Sequence, residues 1–130
     1  MRHVPASRLP PTIFLLAVLA AGCGTKLEQP RSYLVYFDTD SAALTQDGQR
    51  IVGAIADAVR DVSPSKIAVA GRADGSTAHD AALASERAAA VMQALAQKGV
   101  PANKLEKEAD APPSGRTGAA AHQVVVTLLP

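Results

Sequence analysis

Two aspartates one residue apart, Asp38 and Asp40, follow the run Tyr33–Phe37 in the stretch YLVYFDTDSAAL. An acid-x-acid pair directly after a buried strand suits aspartyl phosphoryl transfer. The first carboxylate would attack phosphorus and the second would move the proton. The same residues also suit a polar turn between a strand and a helix, because short Asp and Ser side chains bond nearby backbone N–H groups. Phosphoryl transfer needs a Lys or Arg on the phosphate and further carboxylates at a second strand end to hold Mg²⁺. Downstream only Asp74 ends a strand, and it stands alone. His79 and His122 sit in no triad-like pattern, and nothing matches Gly-x-Ser-x-Gly. Three histidines, one of them His3 near the start, make no metal site. The chain is therefore read as a non-enzyme with no cofactor, and Asp38 and Asp40 as turn and cap residues.

A chain of 130 residues with 48% hydrophobic content suggests one domain. Much of that content is Ala and there is no Trp, so the core must come from Val, Leu and Ile. A formal charge of +1 with no basic run argues against nucleic acid as a partner. Arg2 and Arg8 precede the apolar stretch IFLLAVLAAG, residues 13–22, a pattern of an export signal. Ten residues of helix reach about 15 Å, too short for a bilayer core of roughly 30 Å. The only cysteine, Cys23, follows at once and has no partner for an internal disulfide. Ala20-Ala21-Gly22-Cys23 resembles the lipobox of bacterial lipoproteins, with the customary Leu one position early at Leu19. That resemblance implies a signal peptide over 1–22, a lipidated Cys23 and a short polar tether through residue 32. Gly24 in place of Asp implies sorting to the outer membrane. Without Arg2 and Arg8 the exported chain carries 11 basic and 12 acidic residues, a charge of −1.

Residues 33–37 read as a strand. Thr45 reads as the cap of a helix whose apolar stripe is Ile51, Val52, Ile55, Val59 and Val62. Ser63-Pro64-Ser65 stops it. A strand over 66–74 follows, then a turn at 75–77. Thr77 with Asp80 forms a capping-box-like pair opening an Ala-rich helix over about 78–97, which Gly99 and Pro101 terminate. A weak strand is expected at 104–109, a loop or short turn after it, and a β-branched strand at 122–129. The order β-α-β-α-β-β implies at least one parallel strand pair with helices packed on the sheet.

Several motifs in this order resemble the OmpA-like C-terminal domain. VYFDTDSAAL matches its Phe-Asp-x-Asp-Ser-x-x-Leu opening, and VAGRAD, residues 69–74, its Val-x-Gly-His-Thr-Asp. DAALASERAAAV, residues 80–91, matches Asn-x-x-Leu-Ser-x-x-Arg-Ala-x-x-Val, and KGV at 98–100 its Gly-Val. The resemblance spans roughly residues 33–130. With the lipobox, the layout is similar to that of the peptidoglycan-associated lipoproteins. It implies an α+β fold, a two-layer sandwich with a mixed sheet and both helices on one face. It also implies non-covalent binding of peptidoglycan through the diaminopimelate of the stem peptide, tethering the outer membrane to the wall. Carried over by position, Asp74 would hold the ligand ammonium and Arg87 its carboxylate. Backbone N–H groups near 77–80 would assist, with Asp80 and Asp38 bordering the site. The sequence departs from the pattern at Arg72-Ala73 (for His-Thr), Asp80 (for Asn), Ala84 (for Ser) and Ala121-His122-Gln123 (for Asn-Arg-Arg). The loop after Asp74 is also two residues short. These departures leave a second reading, a structural lipoprotein of an envelope assembly that acts through protein contacts.

Overall fold

A computed structural model describes residues 26–73, 77–108 and 122–130. The expected signal peptide, Cys23, Asp74, the Gly75-Ser76 turn and the loop following Glu108 lie outside the described residues.

Strand β1 (Arg31–Tyr36) leads to helix α1 (Gln46–Val62), then β2 (Lys66–Gly71) and α2 (Ala78–Gln97). A 3₁₀ turn at Ala102–Lys104 enters β3 (Leu105–Lys107), and β4 (Gln123–Leu129) ends the chain. The strands lie in the order β1-β4-β2-β3. β4 is antiparallel to both neighbours, and β2 runs parallel to β3. The expected mixed sheet is present. The last strand in the chain, β4, is central, which suits a run of β-branched residues shielded on both sides.

Both helices begin and end where their local chemistry dictates. The Thr45 hydroxyl accepts from the Gly48 N–H at 3.0 Å, so one orphan donor of the first turn of α1 is satisfied. At the other end Ser63 turns left-handed and its N–H still reaches the Val59 carbonyl. α2 ends as Gly99 takes φ +90°, with the Gly99 N–H on Ala96 and the Val100 N–H on Leu95. Only glycine adopts that conformation without steric cost.

Register places the core. Val35 lies opposite Val124, Val69 opposite Val126 and Ile67 opposite Leu128, so all six share one face. They form one cluster with Val52, Ile55 and Val59 of α1 and Val91 and Leu95 of α2. Each such side chain contributes roughly 1.5–3 kcal/mol by leaving water. Leu27 belongs to the same cluster at 5% exposure. The segment expected as polar tether therefore delivers an apolar anchor to the core, and β1 starts at Arg31 rather than at Tyr33.

α2 presses its backbone onto β2. A Cβ on Gly71 would stand 1.9 Å from the Ala84 carbonyl oxygen and 3.3 Å from the Ala88 Cβ. Glycine on the strand and alanines on the helix make that approach possible. Gly71→Ala should therefore destabilise the domain by at least about 1–3 kcal/mol, the usual cost of overpacking. Gly53→Ala, where a Cβ meets nothing within 4 Å, should stabilise α1 by roughly 0.5–1 kcal/mol. Urea midpoints of the two variants should move in opposite directions.

Candidate functional site

β1 and β2 both point to the end of the sheet where α1 and α2 begin, so the β1–α1 and β2–α2 connections meet there. Phe37 stays tied to β4, its N–H donating to the His122 carbonyl at 2.7 Å. Beyond it the chain turns. The Ser41 N–H donates to the Asp38 carbonyl at 3.2 Å, Asp40 takes φ 53°, and the Ser41 hydroxyl accepts from the Ala43 N–H. Asp38 and Asp40 are exposed turn residues. Their turn role stands, but it is carried by the Asp38 backbone and the Ser41 hydroxyl. Among the described residues no three His, Cys, Asp or Glu side chains group as a metal site.

Arg87 is the centre of this end. Its side chain is 0% exposed. Nε donates to the Ser41 carbonyl at 2.8 Å, Nη1 to the Arg72 carbonyl at 3.0 Å and Nη2 to the Asp38 carbonyl at 2.9 Å. The guanidinium carbon lies 5.6 Å from the centroid of the Phe37 ring. Burying a cation is costly unless its donors are satisfied. Three charge-assisted bonds and an aromatic face go toward that requirement here. One side chain thus joins α2 to the β1–α1 turn and to the end of β2. In this structure the Arg87 fork braces the backbone of this end. A sequence signal for it existed. Leu83, Arg87, Val91 and Leu95 recur every four residues, which puts Arg87 on the buried stripe of α2.

Asp80 closes the N-terminus of α2. Its Oδ2 accepts from the Thr77 N–H at 3.1 Å and from the Thr77 hydroxyl at 2.5 Å, and its own N–H donates to Thr77 Oγ1 at 3.2 Å. The expected capping box is present. It also occupies the Thr77 and Asp80 N–H groups that were expected to receive a ligand anion. The side-chain bond from Thr77, then the backbone N–H of Thr77, hold the Asp80 carboxyl below the usual aspartate range, with His79 adding a smaller pull. Asp74, the expected ammonium partner, lies outside the described residues. Arg72, in the place of a family histidine, donates its N–H to the Gln123 carbonyl at 2.9 Å. Its Nε is buried with no hydrogen-bond partner, a feature no sequence pattern announces.

With this geometry the chain can be compared with known proteins. Residues 36–123 match the OmpA family. The fold is shared with the OmpA-like domain of FopA1 from Francisella tularensis at 18% identity and TM-score 0.66, over 85% of this chain and 91% of that one. The peptidoglycan-associated lipoprotein from Burkholderia pseudomallei aligns at 24% identity and TM-score 0.59, over 73% of this chain and 87% of that one. The periplasmic domain of Helicobacter pylori MotB, residues 97–256 of that protein, aligns at 22% identity and TM-score 0.61, over 80% of this chain and 83% of that one. A search of curated proteins finds no match.

Two outcomes follow from the brace and the cap. Arg87→Met should cost about 3–5 kcal/mol, because the variant leaves the carbonyls of Asp38, Ser41 and Arg72 without their donor. Arg87→Lys should recover only a minor part, since one ammonium cannot replace a planar fork. A Lys variant that melts like wild type in urea would refute the brace. For Asp80 the folded pKa is depressed, so its stabilisation is present above the ordinary aspartate pKa of about 3.9 and is lost as pH falls through the lower folded value. The stability gap between wild type and Asp80→Ala should therefore shrink in acid, measured by urea titrations between pH 6 and roughly pH 2.5.

Proposed function

The chain belongs to the OmpA family, and on that premise we propose that it is a non-catalytic binding module of the cell envelope that holds peptidoglycan through diaminopimelate. On this reading Cys23 carries lipid in the outer membrane and the domain stands in the periplasm. One observation carries it. The β1–α1 turn, the end of β2 and the start of α2, where the family motifs fall, converge at one end of the sheet around Arg87. In this proposal Asp74 receives the ligand ammonium, Asp38 and Asp80 border the site, and Arg87 supplies its positive field from beneath.

The strand directions support an orientation for the proposed site. Arg31, at the start of β1, pairs with Leu128, and Tyr36, at its end, pairs with Gln123. The chain therefore enters at the end of the sheet opposite the site, some six residues or about 20 Å away. Leu27 is fixed in the core, so a lipid on Cys23 would be separated from the fold by no more than roughly 15 Å of chain. An anchored domain would rest close to the membrane with its site directed away from it, toward the wall.

The second reading, a structural lipoprotein working through protein contacts, is favoured by the commitment of Asp80 and the Thr77 N–H to the cap and of Arg87 to carbonyls. Co-sedimentation with diaminopimelate-type sacculi separates the two. The chain from residue 23 with Cys23→Ser should pellet with the sacculi, and adding Asp74→Ala should leave it soluble with an unchanged melting curve. A parent chain that stays in the supernatant would support the second reading. Arg87 variants are unsuited to this assay because they disturb the fold.

A further inference from the structure

The two edges of the sheet are built differently. β3 forms one edge with three residues, of which Glu106 and Lys107 are exposed charges. Shortness and charge are common means of keeping an edge from pairing with another chain. β1 forms the other edge with six residues. It pairs with β4 residue for residue from Arg31 to Tyr36, with no bulge, and Arg31 is its only charge. The Phe37 N–H donates to the His122 carbonyl, and facing residues of an antiparallel ladder alternate between bonded and non-bonded pairs. Arg31, Tyr33 and Val35 therefore bond to β4, while the N–H and C=O of Ser32, Leu34 and Tyr36 point outward. Among the described residues no other segment bonds to those groups. The same three residues carry their side chains on the face away from the helices, because Val35 between them is in the core. Leu34, 40% exposed, and Tyr36, 44% exposed, are the exposed large hydrophobic residues of the described chain. Both lie on the one edge that nothing protects.

We propose that β1 pairs antiparallel with β1 of a second copy of this chain, joining two sheets into one across a two-fold axis at Leu34. The strand is self-complementary in that register. Leu34 faces the partner's Leu34 and Ser32 faces the partner's Tyr36, so every outward N–H meets an outward C=O. Leu34 and Tyr36 of both copies then meet on one face of the joined sheet, as cross-strand and diagonal neighbours. Charge agrees with this direction. Arg31 stands at the start of β1, and the exposed Asp38 and Asp40 stand in the turn beyond its end. Antiparallel pairing brings the basic start of each strand beside the acidic turn of the other, whereas parallel pairing would set like charges side by side. The inference does not depend on what the site around Arg87 binds, but it bears on how that site is presented. The axis sends the two sites to opposite ends of the pair. The upright orientation described above is that of a single chain. Under the proposed anchor, a pair would lie with its strands along the membrane, its sites withdrawn from the wall-facing position.

The test uses the chain from residue 23 with Cys23→Ser, which keeps every described core residue, Leu27 through Leu128. Sedimentation equilibrium should show a reversible monomer–dimer equilibrium at micromolar concentration. Leu34→Lys sets two ammonium groups face to face on the axis and should weaken the dimer about tenfold or more, with the melting curve of the dilute chain in place. Engineered cysteines read the register, since Cys23 is the only native one. Leu34→Cys should give a disulfide-linked dimer under mild oxidation, because residues facing across the axis bring their Cα atoms to about 5.5 Å. Ser32→Cys should not cross-link with itself, but should do so when mixed with Tyr36→Cys. A parent chain that stays monomeric at every concentration would overturn the pairing, as would a dimer that persists undiminished in Leu34→Lys. Self-cross-linking of Ser32→Cys as readily as Leu34→Cys would overturn the axis at Leu34. None of these assays contains peptidoglycan, so their failure is distinct from a failure of the function proposed above.

Discussion

The end of this domain that carries the candidate site depends on one buried charge. Arg87 has no solvent to share its cost, so the fold must supply acceptors, and it does so from two loop segments far apart in sequence. Helix α2, the turn after β1 and the last residue pairing of β2 are thereby held in one arrangement. Carbonyls are suitable partners for this task. Those of Asp38, Ser41 and Arg72 take three of the five donors of Arg87.

The brace in turn depends on close packing next to it. Gly71 and Ala84 bring strand and helix backbones so near that any side chain on the strand would collide. That distance is what lets Arg87, three residues along the helix from Ala84, reach the carbonyl of Arg72, one residue beyond Gly71. Small residues here therefore act through geometry rather than through buried area. The Ala-rich composition of α2 gives high helix propensity and a thin profile at once. The apolar core lies mostly toward the other end of the same helix, at Val91 and Leu95, under β2 and β4.

The molecule is thus organised from end to end. One end takes in the N-terminal segment, with Leu27 in the core and Arg31 beside Leu128. The other end gathers the turns, the two helix caps, Arg72 and Arg87. Under the proposed function, that separation would keep the anchor and the ligand on different surfaces.

Much of this was legible in the chain itself, and the reason is that the legible features are local. The helix caps at Thr45 and Thr77 with Asp80, the bounds of α2 and the stop at Ser63 follow from groups within four residues of one another. The β-branched run Val124-Val125-Val126-Thr127 marks a strand by composition alone. The ordered motifs around Asp38, Gly71 and Arg87 carry the family resemblance, and with it the mixed sheet and its helical layer. Other features depend on contacts between distant residues. That β4 is central depends on pairing with strands about 55 and 90 residues away. That Leu27 belongs to the core rather than to a tether depends on the space left by Val, Leu and Ile side chains from other elements. The state of Arg87 was half legible, since its four-residue spacing from Leu83 and Val91 marks a buried face, but the Asp38, Ser41 and Arg72 carbonyls it meets are backbone atoms with no sequence signature. Arg72 shows the limit most clearly. Its residue type promises a solvated cation, and only the packed end of the sheet encloses its Nε without supplying an acceptor.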